Sequence, residues 1–230
     1  MSQLLRTLFA GDLPRAILFD LDGTLIDSVP DLAWAVQQMQ AELGMPPASE
    51  EQVRAWVGNG AAVLVARALT GQQGITAEAV DATLFSRAMA AFRQAYAATG
   101  ASRSRLYPGV MAALQRARQQ GVALGLVTNK PLEFTLPILA HFALSDTFAV
   151  VLGGECLPER KPHPLPLLVA CQRLEVEPQQ ALMVGDSRHD VAAAKAAGIK
   201  VVALPYGYNH GEPIELSQPD KVVARLDALL

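Results

Sequence analysis

The chain has 230 residues, of which 51% are hydrophobic and 18% are charged, and its 19 basic and 22 acidic side chains give a net charge of −3. A chain this long and this apolar can bury a substantial core, which excludes intrinsic disorder. The absence of a basic block disfavours a general nucleic-acid binder. No uninterrupted apolar run is long enough to predict a membrane-spanning helix. The N-terminus lacks a signal-peptide pattern, and Cys156 and Cys171 are too few for a disulfide framework, so we expect a cytoplasmic protein.

Five short apolar runs recur along the chain, one near its start and four in its second half, with helical patterns between them. The runs do not alternate between apolar and polar residues, which predicts strands buried on both faces of a parallel sheet. They are Ala16–Leu21, Val122–Val127, Phe148–Leu152, Ala181–Val184 and Lys200–Leu204. Single helices are predicted between them, over Val110–Gln120, Leu132–Phe142, Pro164–Leu174 and Val191–Ala197. This order predicts an α/β fold with a doubly wound, Rossmann-like parallel sheet.

One connection is much longer than the others. Between the first and second predicted strands, most residues follow helical spacing, over Asp31–Leu43, Gln52–Trp56, Ala61–Leu69 and Ala77–Tyr96. An all-helical segment of this size between two sheet strands predicts an inserted domain. We expect it to span residues 28–106, and residues 1–27 and 107–230 to form the core.

Polar residues follow four of the predicted strands. Because ligands of open parallel sheets bind at the carboxyl ends of the strands, these residues are expected to meet at one edge. They are Asp20 and Asp22 after the first strand, Thr128 and Asn129 after the second, Lys161 after the third, and Asp186 to Asp190 after the fourth.

Several carboxylates in one crevice require a cation or a bound proton. Oxygen ligands without histidine or cysteine indicate a hard divalent ion, above all Mg²⁺. Lys161 and the Thr128 hydroxyl are suited to phosphate. Asp20 and Asp22 are two residues apart on an extended segment and can both face the pocket. One can then attack phosphorus, and the other can exchange protons with the leaving group and water. The sequence therefore predicts a Mg²⁺-assisted phosphoryl-transfer site.

The four motifs together resemble the haloacid dehalogenase-like hydrolase superfamily, in its phosphatase branch. They are Asp20–Thr24, Thr128-Asn129, Lys161-Pro162 and Gly185–Asp190. The helical insertion resembles the small α-helical cap of that superfamily. Within the superfamily, FDLDGTLIDS at 19–28, WVGNGA at 56–61 and YGYNHG at 206–211 are similar to the bacterial phosphoglycolate phosphatases. This resemblance implies Mg²⁺-dependent hydrolysis of 2-phosphoglycolate through an aspartyl-phosphate.

The resemblance also implies a role for each motif residue. Asp20 would be the nucleophile, and Asp22 the general acid and base. The implied metal ligands are Asp20, Asp186 and the backbone carbonyl of Asp22. Asp190 and Ser187 would orient the ligands or Lys161. The phosphoryl oxygens would be held by Thr128, the backbone of Asn129, and Lys161. A cap closing over the substrate would exclude water.

Other activities of the superfamily fit less well. Dehalogenases usually lack the second aspartate of the first motif, which is Asp22 here. Phosphonatases use a cap lysine, and the inserted segment has none. A phosphomutase is disfavoured because the loop of Gly58, Asn59 and Gly60 is followed directly by Ala61 and Ala62, where phosphomutases carry an arginine for the second phosphate. A phosphatase of another small metabolite, such as a sugar phosphate, stays open. A non-enzymatic receiver module is disfavoured, because such a module needs neither Asp22 nor the helical insertion.

The loop of Gly58, Asn59 and Gly60 is the candidate for reading the substrate from the cap, and a simple turn between helices is the alternative. Arg54 and Arg67 flank it, and for each a solvent-exposed helix face is the simpler interpretation. The expected partner is a small phosphorylated metabolite, with neither nucleic acid nor membrane, and the protein is expected to be a monomer or a homodimer.

Overall fold

A computed structural model describes residues 3–229, and its centre is a parallel sheet of six strands. The strands are β1 (Ala16–Phe19), β4 (Ala123–Val127), β5 (Val150–Leu152), β6 (Ala181–Gly185), β7 (Lys200–Ala203) and β8 (Lys221–Val222). Their order across the sheet is β5-β4-β1-β6-β7-β8. The five predicted strands are confirmed, and the α/β prediction with them. The sixth strand, β8, was not predicted, because its two residues are too short to form an apolar run.

Helices cover both faces of this sheet. They are α6 (Val110–Gln119), α7 (Leu132–His141), α8 (Leu165–Arg173) and α9 (Arg188–Ala197), and a short α1 (Gln3–Leu8) precedes β1. Alternate residues of β1 pack into different layers: Ile17 and Phe19 join one apolar cluster, and Leu18 joins the other. Both faces are therefore buried, which explains why the strand sequences do not alternate.

Helix α9 begins three residues earlier than the predicted start at Val191. The Ser187 side chain accepts a hydrogen bond from the backbone of Asp190, and the Asp190 side chain binds back to the backbone of Ser187. This reciprocal cap satisfies free N–H groups of the first turn and extends the helix to Arg188. Gly198 ends the helix with a φ of 70°, a left-handed conformation that favours glycine.

The insertion between β1 and β4 is helical, which confirms a helical cap on the sheet. Its helices are α2 (Val29–Glu42), α3 (Glu50–Trp56), α4 (Ala61–Thr70) and α5 (Ala82–Thr99). The single helix predicted over Ala77–Tyr96 is wrong in its first part. Residues Ala77–Ala79 form one 3₁₀ turn, and the Asp81 side chain accepts the Leu84 N–H at 2.8 Å and starts α5 anew.

The two chain segments that lead into and out of the helical insertion lie side by side. A small antiparallel sheet joins β2 (Ile26–Asp27) to β3 (Arg105–Leu106). Next to it, the buried Asp31 carboxylate accepts the backbone N–H groups of Arg103 and Ser104. The two connecting segments are thus fixed to each other at the base of the cap.

The cap helices pack onto the core beside the carboxyl ends of the strands. Phe92 and Tyr96 of α5 meet Phe134 of α7 edge to face, with ring centroids 6.2 Å and 5.0 Å apart. Trp56 of α3 is buried as well. Within residues 3–229, no helix is both long and apolar enough to cross a membrane.

Candidate active site

Asp20 lies directly after β1, the strand between β4 and β6. Its backbone N–H still continues the sheet by donating to the Val184 carbonyl at 3.0 Å. The chain then turns sharply at Gly23, which has a φ of 87° and donates its N–H to the Ile26 carbonyl at 2.9 Å. This turn needs glycine, because L side chains rarely adopt such a φ. The first motif therefore forms a tight loop at the carboxyl end of the central strands.

Three carboxylates form a compact cluster at this edge, from Asp20, Asp186 and Asp190. One oxygen of each lies within 4.8 Å of the others. Burial is the main cause that raises the pKa of Asp20 to about 6, with Asp190 adding to it and Lys161 partly offsetting it. Burial and the charges of Asp190 and Asp20 also raise the pKa of Asp186 well above its ordinary value. The cluster therefore carries negative charge that the protein alone does not balance.

Lys161 is the cation inside this cluster. Its Nζ lies 2.9 Å from Asp20 Oδ1 and 2.7 Å from Asp190 Oδ1, and the residue is 2% exposed. Burial by itself lowers the pKa of Lys161, but Asp190 and Asp20 outweigh burial and hold the pKa above its ordinary value. The lysine therefore stays charged next to the candidate nucleophile.

Asp190 accepts four hydrogen bonds from other groups of the protein. Its Oδ1 accepts from Lys161, and its Oδ2 accepts from the backbone N–H groups of Asp186 and Ser187 and from the Ser187 hydroxyl at 2.7 Å. These bonds fix the loop that carries Asp186. The predicted orienting role of Asp190 and Ser187 agrees with these contacts and stays a prediction.

The surroundings of Asp186 fit a hard divalent cation. Its Oδ1 accepts the Thr24 hydroxyl at 2.6 Å, and its Oδ2 accepts the Tyr208 N–H at 2.6 Å, so each oxygen keeps a further lone pair. Two glycines make room for this carboxylate, since a Cβ on Gly23 or Gly207 would lie 2.2 Å from Asp186 Oδ2. The available donors are oxygens, which Mg²⁺ and Ca²⁺ prefer.

We expect Gly207→Ala to weaken metal binding and lower activity by about 10-fold or more, because the added Cβ must displace the Asp186 carboxylate. The measurement is the increase in Tm on adding Mg²⁺, together with phosphatase activity. Gly74→Ala is the matched control, because a Cβ there meets no atom within 4 Å. A Gly207→Ala protein with the full Mg²⁺-dependent increase in Tm would contradict this prediction.

Asp22 has surroundings that differ from those of Asp20. Its Oδ1 accepts the Ser28 hydroxyl at 2.5 Å, and both of its oxygens lie 3.0 Å from Lys130 Nζ. Two carboxylates only two residues apart thus have separate partners, a condition that allows two chemical roles.

Lys130 is a site residue to which sequence reasoning gave no role. It is 6% exposed, and its Nζ also lies 4.8 Å from the centre of the Tyr96 ring. Burial by itself lowers the pKa of Lys130, but Asp22 and Tyr96 outweigh burial and raise it. The available signal was its position directly after Thr128 and Asn129 at a strand end, where short polar motifs carry function.

Thr128 and Asn129 lie at the end of β4 and both line the cleft. The Thr128 hydroxyl accepts the Lys130 N–H at 3.2 Å. The Asn129 side chain donates to the Lys161 carbonyl at 2.9 Å and to the Gly58 carbonyl at 3.1 Å. The amide of Asn129 therefore links the core to the cap, which leaves its backbone as the part that can bind phosphate.

The loop of Gly58, Asn59 and Gly60 contacts the core at the mouth of the cleft. Gly58 and Gly60 line the cleft, and a Cβ on Gly60 would lie 3.1 Å from the Asn129 carbonyl oxygen. Asn59 shares a hydrogen bond of 3.0 Å with His189, whose pKa is lowered to about 4 by burial and by His210. The loop thus lies close enough to Asn129 for the cap to contact a bound substrate.

The two arginines near this loop do not line the cleft. Arg67 is buried and donates to the carbonyls of Trp56 and Gln73, so the expectation of a solvent-exposed face is wrong for it. Arg54 is half-exposed and lies 3.5 Å from the Asp27 carboxylate.

Two side chains near the site accept hydrogen bonds at helix starts. His163 accepts the Leu165 N–H at 3.2 Å at the start of α8. Glu155 accepts the Leu132 N–H at 2.7 Å at the start of α7. Both side chains satisfy free N–H groups of a helix.

A family model described as haloacid dehalogenase-like hydrolase matches residues 17–204. The chain belongs to this family. This hydrolase is 53% identical to the phosphoglycolate phosphatase of Pseudomonas putida over 223 residues, which are 97% of this chain and 81% of that protein. The resemblance that the four motifs indicate is confirmed.

Solved structures give the same result for the fold. A predicted phosphoglycolate phosphatase from Haemophilus somnus matches the hydrolase with a TM-score of 0.87 at 39% identity, covering 94% of this chain and 96% of that one. CbbY from Rhodobacter sphaeroides in complex with xylulose-(1,5)bisphosphate matches with a TM-score of 0.78 at 25% identity, covering 94% and 96%.

Proposed function

We propose that this hydrolase is a Mg²⁺-dependent phosphomonoesterase that converts 2-phosphoglycolate into glycolate and phosphate. The observation that carries the proposal is the separate environments of Asp20 and Asp22. Asp20 belongs to the acidic cluster with Lys161, and Asp22 faces the cleft with Lys130 and Ser28 as partners. The name of the Pseudomonas putida relative supports the choice of substrate.

Two half-reactions follow from these roles. An oxygen of Asp20 attacks phosphorus while the bond from phosphorus to the ester oxygen breaks. Asp22 donates its proton to the ester oxygen, and the alcohol product, glycolate, leaves. Asp22 then accepts a proton from water as the water oxygen attacks phosphorus and the bond to Asp20 breaks. Phosphate leaves, and both aspartates return to their starting states.

The groups around the phosphoryl oxygens balance their charge. Lys161, the Thr128 hydroxyl and the backbone of Asn129 are proposed to hold these oxygens, since Thr128 and Asn129 line the cleft and Lys161 contacts Asp20. Asp20, Asp186 and the Asp22 carbonyl would hold Mg²⁺, which would neutralise the crowded charge of the site. Asp190 and Ser187 would hold the Asp186 loop in place.

The boundaries of the proposed domains lie at the two chain segments that lead into and out of the helical insertion. Residues 28–106 would form the cap, with Gly58, Asn59 and Gly60 facing the substrate, and residues 1–27 and 107–230 would form the catalytic core. The pairing of β2 with β3 supports a boundary at this place, because the chain enters and leaves the insertion there.

A second candidate function is hydrolysis of a sugar phosphate. The likeness to CbbY in complex with xylulose-(1,5)bisphosphate favours it, because a similar cap and core accommodate that larger ester. The cap side of the cleft here is largely apolar, so it offers few hydrogen-bond partners to the hydroxyl groups of a sugar.

The test is phosphate release from 2-phosphoglycolate, several sugar phosphates and a nucleotide, each with Mg²⁺ and with EDTA. We expect strong preference for 2-phosphoglycolate and loss of activity with EDTA, because the uncompensated acidic cluster repels the substrate. Preference for a sugar phosphate would support the second candidate. Absence of release from every ester would contradict both.

A further inference from the structure

The cleft offers a substrate few positive charges. Its cap side is formed by apolar residues such as Leu32, Val57 and Leu64, and its core side contributes the carboxylates Asp20 and Asp22. Among the described residues that line it, Lys130 is the one basic side chain. An acidic group of the substrate beyond its phosphate is repelled by these carboxylates and finds no polar partner on the apolar side, so Lys130 is the lining side chain whose charge attracts it.

Tyr96 adds a second donor beside Lys130. Its hydroxyl is buried and donates to no acceptor in the described part of the chain, and its ring lines the cleft. Burial raises the pKa of Tyr96 to about 12, so the hydroxyl keeps its hydrogen at neutral pH. Lys130 precedes α7 of the core, whereas Tyr96 belongs to α5 of the cap. The pair therefore spans the boundary between the cap and the core.

We infer that Lys130 and Tyr96 form a subsite for the carboxylate of the substrate. This inference rests on the proposed function, because the expected position of the carboxylate depends on Asp22 contacting the ester oxygen of 2-phosphoglycolate. In 2-phosphoglycolate one methylene separates the carboxylate from the ester oxygen. When Asp22 contacts that ester oxygen, the carboxylate falls in the space beside Asp22, where Lys130 Nζ lies 3.0 Å from both Asp22 oxygens.

The subsite also gives the buried Lys130 a function in the cleft. A carboxylate that binds both Lys130 and Tyr96 joins a core residue to a cap residue, so it holds the cap closed over the phosphoryl group. An ester without a carboxylate gains neither contact. The subsite thus distinguishes acidic phosphate esters from neutral ones.

Kinetics with a matched pair of substrates test this inference. The pair is 2-phosphoglycolate and 2-hydroxyethyl phosphate, which has the same chain length without the carboxylate. We expect Tyr96→Phe and Lys130→Met to lower kcat/KM for 2-phosphoglycolate about 10- to 100-fold more than for the neutral ester, mainly through KM. Lys130→Arg should keep part of the preference.

Matched controls separate this effect from folding and from Asp22. Tyr107→Phe removes a buried hydroxyl outside the cleft, and Lys195→Met removes a lysine whose Nζ binds the Ser217 carbonyl. Neither should change the ratio of the two substrates, and partial unfolding lowers both rates alike. Equal losses for the two esters would show that Lys130 acts only through Asp22 and would overturn the inference.

Binding of a second matched pair keeps the inference independent of the proposed reaction. The pair is 3-phosphonopropionate and n-propylphosphonate, measured by titration calorimetry. Tighter binding of 3-phosphonopropionate that is lost in Lys130→Met supports the subsite even if wild type fails to hydrolyse 2-phosphoglycolate. Equal binding of both phosphonates by wild type overturns it.

Discussion

Asp20→Asn is expected to lower phosphatase activity by roughly 10⁴-fold or more, because an amide does not replace the carboxylate nucleophile. The same change is expected to stabilise the metal-free protein. The pKa of Asp20 is about 6 in the fold, against an ordinary value of 3.8. The folded state therefore binds the proton more tightly than the unfolded chain, and the ionised carboxylate destabilises the fold increasingly as pH rises from 3.8 through 6.

The expected gain in the free energy of unfolding is on the order of 2 kcal/mol at pH 8 and about half of that at pH 5. It is measured by thermal unfolding with EDTA at both pH values. Asp12→Asn is the control, because it removes an exposed carboxylate that precedes β1, whereas Asp20 follows the other end of that strand. A lower Tm for Asp20→Asn at pH 8 would show that the contact with Lys161 outweighs burial and would refute this prediction.

Asp22→Asn is expected to lower kcat for 2-phosphoglycolate by about 10²- to 10⁴-fold, the range for loss of a general acid. The loss should be much smaller for formation of the phosphoenzyme from p-nitrophenyl phosphate, because its leaving group departs without a proton. The measurement is the pre-steady-state release of alcohol from each ester. The second half-reaction still needs a base, so steady-state turnover should fall for both esters.

Asp20→Asn is the comparison for this experiment, since loss of the nucleophile affects both esters alike. If Asp22→Asn slowed alcohol release equally for the two esters, Asp22 would act through metal binding or loop structure. That result would contradict its role as the proton donor.

Local sequence patterns predicted much of the framework. The apolar runs predicted five of the six strands, because strands buried on both faces need continuous apolar residues. The two-residue strands were not predicted. The two residues of β8, and those of β2 and β3, carry no periodicity, and they form strands only because a partner strand lies beside them.

Local sequence patterns also predicted much of the candidate site. Asp20, Asp22, Thr128, Lys161 and Asp186 each follow a strand, and the parallel topology brings the ends of those strands together. Lys130 and Tyr96 are 34 positions apart in the sequence, on different domains of the proposed division. No local spacing relates them, so reasoning from the sequence assigned no role to Lys130 or Tyr96.

The sequence by itself therefore determined the family, the sheet and the residues at its carboxyl edge, because these depend on periodicity and on motifs within a few residues. Only the tertiary structure decided the partners of those residues. The Asn129 amide donates to the carbonyls of Gly58 and Lys161, Arg67 is buried, and Lys130 faces Asp22. Such pairings depend on how the cap packs on the core, which is set by burial of aromatic side chains from both parts of the chain.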